Sequence, residues 1–276
     1  MKHYSERQLE IIRTVTESGF SAIDSLSDQF NVSTQTIRRD VNALCELGEL
    51  RRVWGGVEPP PVSGNLLYAK RKIMNVKAKR QIALEVARHI PDGSSIALSI
   101  GTTPEMVIEA LQERANLKVF TNNLNVAMQA SERHDWSVTL AGGSVRPGDK
   151  DILGPEVEAF FDRFEVDFGI FGVAGVSPDG GLLDFSEAEV GSRRAILKNC
   201  RRSFLVMDHS KFSRTAHVRG GHLSDVSCIF CDEPIPLPLQ GGLGSADLII
   251  APDSQRDSQR DDQAGAARSI HERGKR

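Results

Sequence analysis

From Ser94 to Asp232, short runs of β-branched and aromatic residues alternate with stretches of helical periodicity, and this alternation leaves few folds open. The runs read "SIALSI", "LKVFT", "SVTLAG", "DFGIFGVAG", "SFLVMD" and "SCIFCD". Strands separated by helices pair in parallel, because each helix returns the chain to the same end of the sheet. The expected architecture is therefore a doubly wound α/β sheet. Each run leads into small or polar residues: "GTTPE", "NNLN", "GGS", "GVAGV" and "HSKF". In such sheets a ligand sits beyond the carboxyl ends of the strands, where these clusters converge.

The clusters have readable chemistry. In "IALSIGTTPEMVIEAL" a strand runs into Gly101, Thr102 and Thr103, and Pro104 is expected at the first helical position, where its missing N–H costs nothing. Free amides, the positive end of a helix dipole and two hydroxyls suit a phosphate or carboxylate; the same residues also make a plain capped helix. "FTNNLNVAM" repeats the pattern with Thr121, Asn122 and Asn123, whose amides either cap a helix or hold sugar hydroxyls. "VMDHSKF" closes a strand with Asp208 and Lys211, a point charge of the kind a phosphate needs. Glu187 and Glu189, after "DGGLLDF", fit either acceptors for ligand hydroxyls or an exposed helix face. Ser99, the Gly142–Gly143 pair of "LAGG" and Gly172 and Gly175 of "GVAGV" complete the candidate set.

Residues 1–57 follow another pattern. Leu9, Ile12, Val15 and Thr16 keep helical spacing up to Gly19, and "SAIDSLSDQF" adds a short helix with Leu26 and Phe30 inward. After the "NVS" turn, Ser33 is the expected N-cap of a helix whose apolar stripe is Ile37, Val41, Leu44 and Leu47, leaving Arg38 and Arg39 outward. The helix ends near Gly48, and "ELRRVWGGV" turns extended and breaks at Gly55 and Gly56, as a hairpin wing does. The helix after such a turn enters the major groove in helix-turn-helix proteins. That context gives Arg38 and Arg39 guanine edges or phosphates as partners, and gives Ser33, Thr34, Gln35, Thr36 and the wing's Arg51 and Arg52 a place at the DNA.

A net charge of −3 argues against wholesale coating of nucleic acid, so any DNA contact must come from such a local arrangement. Pro59, Pro60, Pro61 and Gly64 mark residues 58–72 as a linker. "VKAKRQIALEVARHI" then begins a helix with Ile82, Val86 and Ile90 on one side, and its Lys77, Lys79 and Arg80 read as a solvated face or an attraction for DNA. The tail 253–276 has one Ile and no other large apolar residue, the composition of a disordered segment. Lys2, His3 and Glu6 precede any apolar run, and no stretch approaches the roughly 18 apolar residues of a membrane span, so a cytoplasmic protein is expected. Cys45, Cys200, Cys228 and Cys231 are too scattered for a disulfide framework. Cys228 and Cys231 fall on opposite faces of one expected strand, so neither a metal nor a redox role is expected.

Arg7, Ile11 and Val15, followed after seventeen residues by "STQTIRRDV", resemble the helix-turn-helix signature of the DeoR family of bacterial transcriptional regulators. From about Lys77 to Pro234 the runs "IGTTPE", "TNNLNVA", "LAGG", "DFGIFGVAGV" and "DHSKF" resemble that family's sugar-phosphate sensor domain, related in fold to sugar-phosphate isomerases and CoA transferases. Two positions depart from the family pattern: Ser99, where an acidic residue is usual, and Trp54, where the wing usually carries His. The resemblance implies a winged helix-turn-helix over 1–57, a sensor domain over 73–252, and a repressor released from double-stranded operator DNA by a phosphorylated small molecule, glycerol-3-phosphate before other sugar phosphates. It implies no cofactor, and a homodimer or homotetramer, since paired half-sites need at least two copies. A sugar-phosphate isomerase-like enzyme is the reading from a different class; Ser99 leaves the first strand end without the carboxylate that proton transfer would use.

Overall fold

The computed structural model describes residues 4–18, 20–47, 49–53, 55–59, 68–212 and 214–252. The expected helix stops at Gly19 and Gly48, the Trp54 departure, most of the proline-rich stretch and the tail 253–276 lie outside the described residues. The chain divides into two compact units, residues 1–66 and 67–276.

In the first unit α1 (Glu6–Ser18), β1 (Ser21–Ala22), α2 (Ile23–Phe30), α3 (Thr34–Glu46), β2 (Arg51–Val53) and β3 (Gly56–Glu58) follow in order. β3 lies between β1 and β2 and runs antiparallel to both, so the wing is stitched to the start of α2. Asn31 closes α2 in the left-handed region at φ 50°, which Asn tolerates, and the Ser33 hydroxyl accepts the Thr36 amide at 3.2 Å as the expected N-cap of α3. Ile37, Val41 and Leu44 pack with Ile11, Val15 and Leu26 in one core. Two stripe positions differ from expectation: Leu9 is 52% and Leu47 42% exposed. α1 turns Ile11 inward in place of Leu9, and α3 ends at Glu46, so Leu47 no longer keeps the helical phase. Arg7 Nε donates to the buried Asp40 at 2.7 Å and ties α1 to α3.

The second unit runs α4 (Tyr68–Ile73), α5 (Val76–Arg88), β4 (Ser95–Leu98), α6 (Thr102–Ala110), β5 (Lys118–Thr121), α7 (Leu124–Ser131), β6 (Ser137–Leu140), β7 (Val145–Arg146), β8 (Asp151–Ile152), α8 (Pro155–Phe161), β9 (Val166–Phe171), β10 (Gly175–Val176), β11 (Gly181–Asp184), α9 (Glu187–Lys198), β12 (Cys200–Val206), β13 (Val218–His222), β14 (Cys228–Cys231), α10 (Leu237–Gln240) and β15 (Asp247–Ile250). Seven strands form one parallel sheet in the order β15-β14-β12-β9-β4-β5-β6. Alternate residues feed two cores. Ile96, Leu98, Phe204 and Val206 meet Ile82 and Val86 of α5 and Val107 of α6, whereas Ala97, Leu205 and Ile229 meet Val157 and Phe160 of α8 and Ile196 of α9. β15 lies beyond the expected strands, and α4 occupies the end of the stretch expected to be linker. The chain winds outward from β4 through β5 and β6, then returns to the other side of β4 with β9. This reversal opens a crevice at the carboxyl ends of β4 and β9. No helix of the described residues is long and apolar enough to cross a membrane. All four cysteines are free, and Cys228 and Cys231 are buried in β14.

Candidate nucleic-acid interface and anion site

On α3 the side chains sort by burial. Ser33, Gln35, Arg38 and Arg39 are exposed, and Thr34 and Thr36 are half-exposed. Arg38 and Arg39 have no protein partner among the described residues, whereas Arg51 bonds Glu58 across the hairpin at 2.7 Å through Nε, and Arg52 bonds Asn42 of α3. The helix therefore presents two free guanidinium groups, and the wing's two are held by carboxylate or amide partners.

In the second unit the crevice gathers cations. Gly101, at φ 119°, makes the sharp step from β4 into α6; the helix begins at Thr102, two residues before the Pro104 expected to open it, and no side chain caps it. The Thr102 hydroxyl accepts from Lys79 Nζ at 3.2 Å, and the same ammonium donates to the Arg71 carbonyl at 2.5 Å. Lys79 is only 4% exposed, so the solvated or DNA-attracting face expected for it is corrected: α5 turns it into the crevice. At the end of β12, Asp208 is 1% exposed and accepts from the Asn75 amide at 2.8 Å and the Ser210 N–H at 3.1 Å. Burial opposes its charge, but Lys211, Ser210, Lys79 and Asn75 together outweigh burial and hold its carboxyl below the ordinary range. Burial brings the Lys211 ammonium down to about 8 against the attraction of Asp208, and Arg214, Lys79 and Arg71 push the same way. Burial also lowers Lys79.

Arg214 completes the group, stacked 5.1 Å from the Phe185 ring centre and buried, with Nε and Nη2 lacking any hydrogen-bond partner among the described residues. A Cβ at Gly175 would strike the Arg214 carbonyl oxygen, so glycine there lets β10 lie directly on the backbone that carries Arg214. Arg71 pairs with Asp149, and Arg146 with Asp151 at 2.8 Å and Glu189 at 2.9 Å.

Other expected site residues have protein partners. Thr121 donates to the Leu98 carbonyl at 2.8 Å, Asn122 to the Ile152 carbonyl at 2.8 Å and Asn123 to Glu105 at 3.0 Å. Asn123 Oδ1 accepts the Asn125 and Val126 amides, so the start of α7 is already capped and does not repeat the open geometry of α6. Tyr68 also donates to Glu105 and anchors α4 beside α6. Ser99 is 3% exposed, with its amide bonded to the Ile170 carbonyl at 3.0 Å. Gly172 lies against the Val206 carbonyl and Pro104, bringing the chain after β9 close to the end of β12 and the first turn of α6. Gly142 and Gly143 sit in an exposed loop after β6. Glu187 does not share a site with Glu189: it lines a separate cleft of about 530 Å³ with Glu158, Arg194 and Lys198. Residues two apart on a helix are about 200° apart around it, so one faces Arg146 and the other does not.

Lys79, Arg71, Arg146 and Arg214 were not among the effector residues expected from sequence. Spacing marks only the ends of the main strands, and these four come from α4, α5, the short strand β7 and the loop before β13. His209, Asp232 and Glu233 lie close together, and His209 Nδ1 lies 2.6 Å from Asp232, a hydrogen bond that raises the imidazole to about 9 despite burial.

The DeoR-like helix-turn-helix domain model matches residues 7–60, and the DeoR C terminal sensor domain model matches residues 74–233. The chain is 42% identical over 233 residues to the glycerol-3-phosphate regulon repressor of Escherichia coli (strain K12), covering 84% of this chain and 92% of that protein. It is 43% identical to the Haemophilus influenzae protein of the same name, over 82% of this chain and 88% of that one. It is 33% identical to the HTH-type transcriptional repressor CsqR of Escherichia coli (strain K12), over 88% and 94%. Among solved structures, ribose 5-phosphate isomerase from Plasmodium falciparum aligns at a TM-score of 0.36 and 12% identity over 49% of this chain and 52% of that one, a likeness too distant to speak to chemistry. With both units matched and this identity sustained over most of its length, the chain belongs to the DeoR family of transcriptional repressors.

Proposed function

We propose that α3 grips operator DNA through Ser33, Thr34, Gln35, Thr36, Arg38 and Arg39, and that glycerol-3-phosphate binds the crevice of the second unit and releases the protein from its operator. The observation that carries the sensor half is the uncapped start of α6 at the switch point, with Lys79 on Thr102 and Lys211 beside Asp208. A phosphoryl group there meets free amides, a hydroxyl and an ammonium. The names of the relatives favour glycerol-3-phosphate over other sugar phosphates.

The crevice is read as a sensor and not a catalyst. Asp208 accepts from Asn75 and Ser210 and is held ionised, and Glu105 is taken up by Tyr68, Asn123 and Asn125, so neither is poised to move a proton. Moving a two-state equilibrium from 99:1 to 1:99 takes roughly 10⁴-fold differential affinity, about 5.5 kcal/mol. Charge-assisted hydrogen bonds contribute about 1.5 to 3 kcal/mol each, so two or three made only in the released arrangement meet that need. The repressor acts in the cytoplasm as a homodimer or homotetramer, because paired half-sites need paired α3 helices.

Calorimetric titration with glycerol-3-phosphate, fructose phosphates, ribose-5-phosphate and unphosphorylated glycerol tests the reading, alongside gel shifts on operator DNA selected from random sequence. Tight binding of glycerol-3-phosphate, no binding of glycerol and ligand-driven release of DNA are expected. Release by another sugar phosphate with glycerol-3-phosphate inert would assign the chain to another effector.

A further inference from the structure

The other enclosed cations of the second unit are paired. Half-buried Arg71 has Asp149 and half-buried Arg146 has Asp151 and Glu189, buried Arg193 has Asp184 at 2.7 Å although its Nε lacks a partner, and buried Lys79 has a carbonyl and a hydroxyl. Arg214 differs. It is 7% exposed, it forms no salt bridge among the described residues, and both Nε and Nη2 lack a hydrogen-bond partner there. Those two nitrogens lie on one edge of the guanidinium, the edge that takes two oxygens of an oxyanion side by side. Leaving it empty is costly, because a buried charge without partners loses hydration and regains nothing. Gly175 seats the Arg214 and Lys211 backbones together, and Phe185 backs the guanidinium plane, so the edge is held in place.

We propose that Arg214 anchors the effector's phosphoryl group, its Nε–Nη2 edge taking two terminal oxygens while Lys211 and the start of α6 take the third. This rests on reading the second unit as a sensor of a phosphorylated effector. A phosphomonoester offers three terminal oxygens and a carboxylate two, so a carboxylate can fill the fork but leaves the remaining donors unmatched. The site therefore prefers glycerol-3-phosphate to glycerate, a ligand of similar size with a carboxylate at one end.

The full-length protein and its Arg214→Gln and Arg214→Lys variants are titrated calorimetrically with glycerol-3-phosphate, inorganic phosphate and glycerate, with melting temperature and operator binding measured in parallel. The expected losses in glycerol-3-phosphate affinity are about 100-fold or more for Arg214→Gln and about 10-fold or more for Arg214→Lys, which keeps the charge but not the fork. Ligand-free Arg214→Gln is expected to melt no lower than wild type, since it removes an uncompensated charge, and to bind operator normally. Wild-type affinity in both variants would overturn the role of Arg214 and leave the sensor reading standing. A marked fall in the variants' melting temperature would make Arg214 a structural residue and overturn the assignment as well, as would equal wild-type affinity for glycerate. Failure of the wild type to bind any phosphomonoester would overturn the sensor reading itself, and with it this proposal.

Discussion

The two units use cations in opposite ways. Arg38 and Arg39 stand in water on α3, where an unpaired charge costs little and acts at a distance. Lys79, Lys211 and Arg214 stand in the crevice of the parallel sheet, where burial lowers all three. Exposed cations find a polyanion by its field; enclosed ones recognise a small anion by shape and donor geometry, and their own protonation becomes sensitive to what fills the site. On the proposed function, the same residue types serve long-range capture in one unit and short-range discrimination in the other.

Lys211→Ala breaks the comparison most sharply. It is expected to weaken glycerol-3-phosphate by about 3 kcal/mol, a factor of about 100, while operator affinity stays at the wild-type value, giving a repressor that inducer no longer releases. A reporter gene with and without inducer, and calorimetry on the purified variant, read the two halves separately. Loss of operator binding in the unliganded variant would show the crevice to be structural for the whole chain.

Arg38→Ala or Arg39→Ala is expected to cost about 1 to 3 kcal/mol in operator binding if the side chain reads a base. Where it touches a phosphate, the slope of log affinity against log salt should fall by about 1. Circular dichroism should be unchanged, since both residues lie off the buried stripe. Effector affinity should barely respond to the same salt range, because enclosed pairs are poorly screened.

pH gives a smaller separation. With the free Lys211 near 8, raising pH from 7 to 9 removes a charge that the bound anion needs, so effector affinity should fall by up to about tenfold per unit above pH 8. Arg214 stays charged over that range, and Asp208 stays ionised. Operator binding by α3 should show no matching step.

The smallest effect belongs to His209, which is raised to about 9 from 6.5 chiefly by its hydrogen bond to Asp232. The stabilisation is fully present below about pH 6.5 and lost as pH rises through about 9. With the side chain 39% exposed, about 1 kcal/mol or less is expected after solvent screening. His209→Gln should flatten that part of the melting-temperature profile.

The legibility of these features followed their locality. Ser33 and the Ile37–Val41–Leu44 stripe were readable because a cap and a helical phase are set within a dozen residues. Phase errors entered at helix ends, where Leu9 and Leu47 turned out to be exposed. The strand ends were equally plain, since Gly101, Asp208 and Lys211 each follow a short apolar run. β15 was missed although "DLII" carries the same kind of signal. Arg214 was not legible: "SRTAHVRGG" has no periodicity, and its place depends on Gly175, almost forty residues earlier. Nor does spacing show which of Glu187 and Glu189 faces Arg146, since that depends on how α9 is rotated against the sheet.

The parallel sheet also sets an order of events at the ribosome. β4 must pair with β9, and the Ser95–Asp167 bonds that join them span 72 residues, whereas the Arg7–Asp40 tie of the first unit spans 33. Non-local parallel pairing is slow, and it waits on synthesis of the later strand. The helices of the first unit can therefore close their core in every new copy while the crevice of the second is still waiting for its later strands.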